Sequence, residues 1–245
     1  MTKQRTSLNI KIAFVANPNA NFVIHHFKYW QELGFDIDLV THYSDKTNEN
    51  LISAFHNLNK SDYIIYELLR RFLFFFEKVY YKFNYSRFKK AMKSEKEGKP
   101  SIAHSILSAF TVSKYINTQN YQFIIGFDSF SYGLAIAKCK TPIKVIQVWG
   151  GDIYMYAFTT KIAYKLLKKA FKKTDIIWTS SISSKDQLIN VFKVPKKKIA
   201  AIPLGVDQKI FKNLKKNKQK LLKKYNIDPD NRIIINIRRF RPAWG

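Results

Sequence analysis

The sequence predicts an α/β protein with a Rossmann-like parallel sheet flanked by helices. Short apolar runs of strand length recur along the chain, and segments with apolar residues at helical spacing alternate with them. The first strand-helix-strand unit closes within about 30 residues, the usual length of a β-α-β crossover.

Residues 10–16 form the first buried-strand run and end at Asn17-Pro18-Asn19-Ala20-Asn21, a cluster that favours turns and helix caps. Phe22, Val23, Phe27, Trp30 and Leu33 then follow a helical period that stops at Gly34, a residue suited to a helix C-terminus. Alternation of Phe35, Ile37 and Leu39 with Asp36 and Asp38 gives the second strand over residues 35–41. Residues 51–58 read as a short helix, and residues 63–93 as a long one with Glu67, Arg71, Lys78, Lys82 and Lys89 along one polar stripe. Helix 102–116, strand 123–127, helix 131–138 and strand 143–149 follow. The series continues with a basic amphipathic helix over 161–173, strand 175–179, helix 185–192 and strand 199–202.

Residues 1–208 are expected to form the first domain, followed by a lysine-rich linker over 209–231. Residues 232–245 read as the opening strand of an incomplete second domain, so the chain is expected to stop as its second half begins. No internal repeat and no long low-complexity tract interrupts this pattern.

Bulk properties narrow the function. With 46% hydrophobic and 16% aromatic residues the chain is too apolar for disorder, while its longest apolar runs are of strand length rather than membrane length. Lys11 interrupts the first apolar run and no small-residue cleavage site follows, which argues against a signal peptide. The single cysteine, Cys139, allows no internal disulfide or zinc cluster and suits a reducing compartment, with the cytoplasm as default. The net charge of +26 creates a field that attracts polyanions. It is concentrated at residues 161–224, with 19 Lys against three acids, and at residues 70–99, where ten basic residues interleave with nine aromatics.

In an open parallel sheet, ligands bind beyond the carboxyl ends of the strands. The candidates there are Asn17 and Asn19 after the first strand, Asp128 after strand 123–127, and Gly150, Gly151 and Asp152 after strand 143–149. Thr179, Ser180 and Ser181 follow strand 175–179. Paired glycines let a ligand approach the backbone and present amide hydrogens to phosphate or sugar oxygens, although a plain tight turn uses the same residues. Asp36-Ile37-Asp38 has the spacing of a D-x-D metal motif, but both carboxylates leave the strand on its polar side and need no metal to explain them. His25 and His26 fall within the first helix as packed or solvated residues, and His42 and His104 carry no partner signal.

A resemblance emerges from residues in order. Lys11-Ile12-Ala13-Phe14-Val15-Ala16, Trp149-Gly150-Gly151-Asp152-Ile153, the stretch AFKKTDIIWTSS at 170–181 and the stretch KIAAIPLGVDQKIF at 198–211 together resemble family 4 of the retaining glycosyltransferases. Residues 232–245 resemble the opening strand of that family's C-terminal domain. The resemblance implies the two-domain GT-B fold, with an N-terminal domain that binds a glycan or lipid-linked acceptor and a C-terminal domain that binds a nucleotide-sugar donor. It implies a hexosyltransferase-type enzyme of cell-surface polysaccharide or glycolipid synthesis, with no metal or other cofactor.

Under this resemblance, Arg238 and Arg239 match a donor-phosphate arginine, where a guanidinium offsets charge on the leaving diphosphate. Asp128 and Asp152 are the catalytic candidates, and Asn17, Asn19, Gly150 and Gly151 the substrate-binding ones. Two features depart from the family pattern. Asn17 to Asn21 replace a glycine-rich loop, and Gly126-Phe127-Asp128 replace a segment that often carries histidine. In the fourth stretch Leu204 replaces a small polar residue, while Gly205 is expected in a positive-φ turn and Asp207 as a cap.

The aromatics of residues 70–99 cover more than a core stripe, so part of that helix should meet another apolar phase. An anionic membrane surface suits it, with the protein peripheral on the inner face of the plasma membrane. Two other readings remain. One is a basic nucleic-acid-binding protein, although no specific nucleic-acid motif is present; the other is a non-catalytic half that needs a separate C-terminal-domain polypeptide to bind the donor.

Overall fold

The computed structural model describes residues 10–18, 21–42, 51–54, 57–91, 102–203, 205 and 218–233. The chain divides into two compact units, Met1–Ala91 with Gly98–Pro203, and Met92–Glu97 with Leu204–Gly245.

Among the described residues the first unit holds seven strands: β1 (Lys11–Val15), β2 (Asp36–Thr41), β3 (Leu51–Ser53), β4 (Phe123–Phe127), β5 (Ile143–Val148), β6 (Ile176–Thr179) and β7 (Ile199–Ala201). All pairings are parallel and the spatial order is β3-β2-β1-β4-β5-β6-β7. The parallel sheet is the one predicted by the alternation of strand and helix, and the structure supplies its order. Its direction of winding reverses between β1 and β4, which places the natural ligand crevice at their carboxyl ends.

The helices of this unit are α1 (Asn21–Glu32), α2 (Lys60–Ala91), α3 (Ile102–Ile116), α4 (Tyr132–Ile136), α5 (Gly150–Tyr154), α6 (Lys161–Lys173) and α7 (Ile182–Asn190). They are divided between the two faces of the sheet. Val23 and Phe27 of α1 pack on Phe14, Leu39, Ile125, Phe127 and Val145. The other face carries residues of α3, α4, α6 and α7, including Val112, Ile136, Leu167, Phe171 and Leu188, against Val15, Ile124, Ile146 and Ile177. Alternation along each strand supplies both cores, as a sheet covered on both sides requires.

Local chemistry fixes several ends. Gly34 adopts φ +86° after α1, the left-handed conformation that glycine enters without a Cβ penalty. Thr160 caps α6 by accepting from the Ala163 N–H, and Ser181 caps α7 by accepting from the Ser184 N–H. Lys198 Nζ donates to the carbonyls of Lys172 and Thr174, where the C-terminus of α6 favours a cation. At Gly126 any Cβ would collide with Ile136 Cδ1, so the absent side chain is what lets α4 lie close to β4.

The structure corrects two sequence expectations. The short helix expected over 51–58 is instead strand β3, paired through Leu39↔Leu51, Val40↔Ile52 and Thr41↔Ser53. The unpaired backbone edge of β2 offers hydrogen bonds that outweigh weak local helix propensity in so short a segment. The Gly150-Gly151 segment, expected as a loop, forms the first turn of α5; neither glycine has a positive φ, and Asp152 sits in the first turn where the helix dipole favours an acid.

In the second unit α8 (Lys218–Lys224) lies within the lysine-rich stretch, with Leu222 buried. Gly205 adopts φ +71°, as the positive-φ expectation required. Arg232 and Ile233 are exposed, and the strand expected to continue beyond them, like Leu204 and Asp207, falls outside the described residues.

Candidate functional site

The carboxyl ends of β4 and β5 bring two acids to one place. Asp128 directly follows β4 with φ +93°, a conformation that short polar side chains tolerate by bonding their own backbone. Its Oδ1 accepts from the Phe130 and Ser131 N–H groups at 2.7 and 2.8 Å, making Asp128 the organiser of the loop into α4. Burial pushes its carboxyl up to about 6, against the lowering effect of those backbone bonds.

Asp152, in the first turn of α5, is 4% exposed. Its Oδ2 accepts from the N–H and hydroxyl of Ser129 at 2.9 and 2.6 Å, which ties α5 to the loop after β4. Its Oδ1 is buried without a well-formed hydrogen bond, and the Trp149 backbone N–H lies close enough to the carboxyl to lower its pKa. Burial, with the Asp128 charge adding to it, pushes the Asp152 carboxyl up to about 7. Two acids on one sheet edge, one with an oxygen lacking a well-formed hydrogen bond, suit holding or orienting a hydroxyl.

Gly150 and Gly151 stand at the start of the same helix. A Cβ on either would make only ordinary contact, with Tyr154 and Tyr156 respectively, so the fold itself does not require glycine there and the backbone stays open to close approach. Asn17 is exposed just after β1. Asn19, Arg238 and Arg239 lie outside the described residues, so of the expected site the structure brings together Asp128, Asp152, Gly150 and Gly151. Ser181 and Thr179 serve locally: Ser181 caps α7, and Thr179 Oγ1 accepts weakly from the Ser181 N–H.

The remaining candidates fall into structural roles. Asp38 accepts from the Tyr121 hydroxyl and pairs with Lys11 Nζ at 3.2 Å. Among the described residues no three His, Cys, Asp or Glu side chains converge as a metal site would need. His42 and His104, which gave no partner signal in the sequence, stand edge to face with ring centroids 5.0 Å apart. His42 Nδ1 also meets Thr111 Oγ1 inside the core, where burial lowers its pKa to about 4. Contacts between residues far apart in the chain could not be read from spacing.

Sequence reasoning also missed Gln147. It shares a strand face with Ile143 and Val145, a face otherwise apolar, and that single polar substitution in the pattern was the available signal. It is 1% exposed, and neither its Oε1 nor its Nε2 has a hydrogen-bond partner.

Comparison with known proteins bears on this carboxyl edge. Residues 85–181 match the family model described as Glycosyl transferase 4-like. The matched segment contains β4, β5 and β6 with Asp128, Gly150, Gly151 and Asp152, and it agrees with the resemblance seen in the sequence. Over residues 85–181, then, the first unit is similar to glycosyltransferase 4-like proteins. Among solved structures, a crystal structure of a glycosyltransferase from Rickettsia africae ESF-5 is similar at 14% sequence identity and a TM-score of 0.42, covering 91% of this chain. The chain spans 51% of that structure's length. No curated protein matches.

Proposed function

We propose that the first unit is the acceptor-side domain of a retaining GT-B glycosyltransferase. On this reading the enzyme moves a hexose from a nucleotide sugar to a glycan or lipid-linked acceptor in cell-surface polysaccharide or glycolipid synthesis, with no resident metal. The observation that carries it is the glycosyltransferase 4-like match over the segment that holds the Asp128–Ser129–Asp152 cluster at the carboxyl edge of the sheet. Asp152 Oδ1 and the Asp128 carboxyl orient the acceptor hydroxyl, Asn17, Asn19, Gly150 and Gly151 border the acceptor, and Arg238 and Arg239 face the donor diphosphate. The domain limits proposed with this reading are 1–208 on the acceptor side, 209–231 as a linker and 232–245 on the donor side.

The test is transfer of radiolabelled hexose from a panel of nucleotide sugars, with the chain supplied with a donor-binding domain, and NMR of the product anomeric proton. Retention of configuration supports the mechanism; inversion, or transfer unaffected by Asp152→Asn, overturns it.

Membrane attachment is the second part of the proposal, favoured by α2. Tyr66 turns inward and Leu69 and Leu73 are partly covered, whereas Ile64, Leu68, Phe72, Phe75, Phe76 and Val79 are exposed along the opposite side. Phe75 and Leu68, at 65% and 63% exposure, are far too open for a core face. With a net charge of +26, that stripe suits a peripheral position on an anionic inner leaflet in the cytoplasm. Among the described residues no helix is long and apolar enough to cross a membrane.

A further inference from the structure

Gln147, whose buried amide has no hydrogen-bond partner, lies between two aromatic residues on one face of the sheet. The parallel register places Gln147 on β5 between Phe127 of β4 and Trp178 of β6. Phe127, Val145 and Trp178 all belong to the α1 side of the sheet, and Gln147 shares the face of Val145. From α1, the His26 ring lies 5.8 Å from Phe127 and 5.6 Å from Trp178.

A buried amide left without partners destabilises the fold, and an apolar side chain of similar size would fit the face better. Its donor and acceptor are arranged for a ligand with a paired acceptor and donor, and the surrounding rings offer apolar faces. The Trp178 indole N–H already donates to the Ile202 carbonyl, which fixes that ring.

We propose that Gln147 is the polar floor of an acceptor-sugar subsite, taking two neighbouring sugar hydroxyls through its amide while Trp178, Phe127 and a displaceable His26 ring meet the C–H face of the pyranose. The inference rests on the glycosyl-transfer reading and adds to it a specificity-determining residue for the acceptor. The His26 side chain is the movable cover, since it is carried on the surface helix rather than on the sheet.

The test uses the full chain and methyl glycosides of glucose, galactose and mannose as probes, read by the side-chain amide NMR signal of Gln147, which its loss in Gln147→Met assigns. At least one glycoside should shift that signal with a millimolar dissociation constant, and the matching deoxy glycoside should bind at least tenfold more weakly. Gln147→Leu should retain or raise the melting temperature while weakening glycoside binding at least tenfold. If that variant fails to fold, Gln147→Met provides the same reading. A Gln147 signal unmoved by every glycoside, or moved by uridine instead, overturns the subsite. Transfer that proceeds with an unchanged acceptor KM in Gln147→Leu also overturns it and leaves the transferase reading intact. Glycoside binding without any transfer does the reverse.

Discussion

Ser129 and Asp152 form a two-point tie between the loop after β4 and the start of α5, with both the N–H and the hydroxyl of Ser129 donating to Asp152 Oδ2. Because Ser129 is fully buried, loss of that acceptor strands a backbone donor in the interior. Asp152→Ala should therefore cost about 1–3 kcal/mol of stability in urea unfolding. Asp152→Asn keeps an acceptor oxygen for the Ser129 N–H and should cost less than about 1 kcal/mol. In the transfer assay the same Asn variant should lose at least tenfold in rate, and wild-type transfer would demote Asp152 to a loop tie.

Opposed titrations should shape stability between about pH 4 and 7. Asp152, raised to about 7, binds its proton in the folded state before the unfolded one, so its contribution makes stability fall as pH rises from about 4 through 7. His42, lowered to about 4, binds its proton later in the folded state, so its contribution makes stability rise from about 4 to 6.5. The two slopes offset each other. In urea unfolding at pH 5 and pH 8, Asp152→Asn should gain stability relative to wild type at pH 8 compared with pH 5. His42→Leu should lose the acid-side decline, and parallel curves for all three proteins would refute this assignment.

Gly126→Ala should destabilise the fold by about 1–3 kcal/mol, because the added methyl meets Ile136 Cδ1 in a core where Ile136 is completely buried. Adding Ile136→Val, which removes that atom, should recover most of the loss. Calorimetry of the two single variants and the double variant checks this, and additive losses would count against the proposed contact.

Binding to vesicles of mixed anionic and neutral lipid should weaken when Leu68, Phe72 and Phe75 are each changed to Ser, and again when salt is raised from about 0.05 to 0.5 M. Because these side chains are exposed, the Ser changes should leave stability within about 0.5 kcal/mol. Lys78→Glu, Lys82→Glu and Lys89→Glu together should reduce binding further. Equal binding to neutral vesicles would remove the electrostatic part of the argument.

The strands and most helices were legible because their information is local: a period of two or 3.6 residues and a cap or glycine at each end suffices. That is why β1, β2, β4, β5 and β6 fall where the apolar runs lie, and why Gly34 ends α1. At the site, the positions of Asp128 and Asp152 were legible for the same reason, since both follow strands of a parallel sheet. Their partners were not.

By itself, then, the sequence determined the alternating α/β pattern, the carboxyl-edge residues and the glycosyltransferase resemblance. The tertiary structure alone decided that residues 51–53 complete the sheet as β3, that Gly150 and Gly151 open a helix, and that His42 lies against His104. It also decided that Asp152 is held by Ser129 and that Gln147 is buried with an unpaired amide. In each case the deciding energy is a long-range hydrogen bond, or the burial of a polar group, between residues many positions apart. Local spacing carries no record of which distant group will supply the partner or exclude the water.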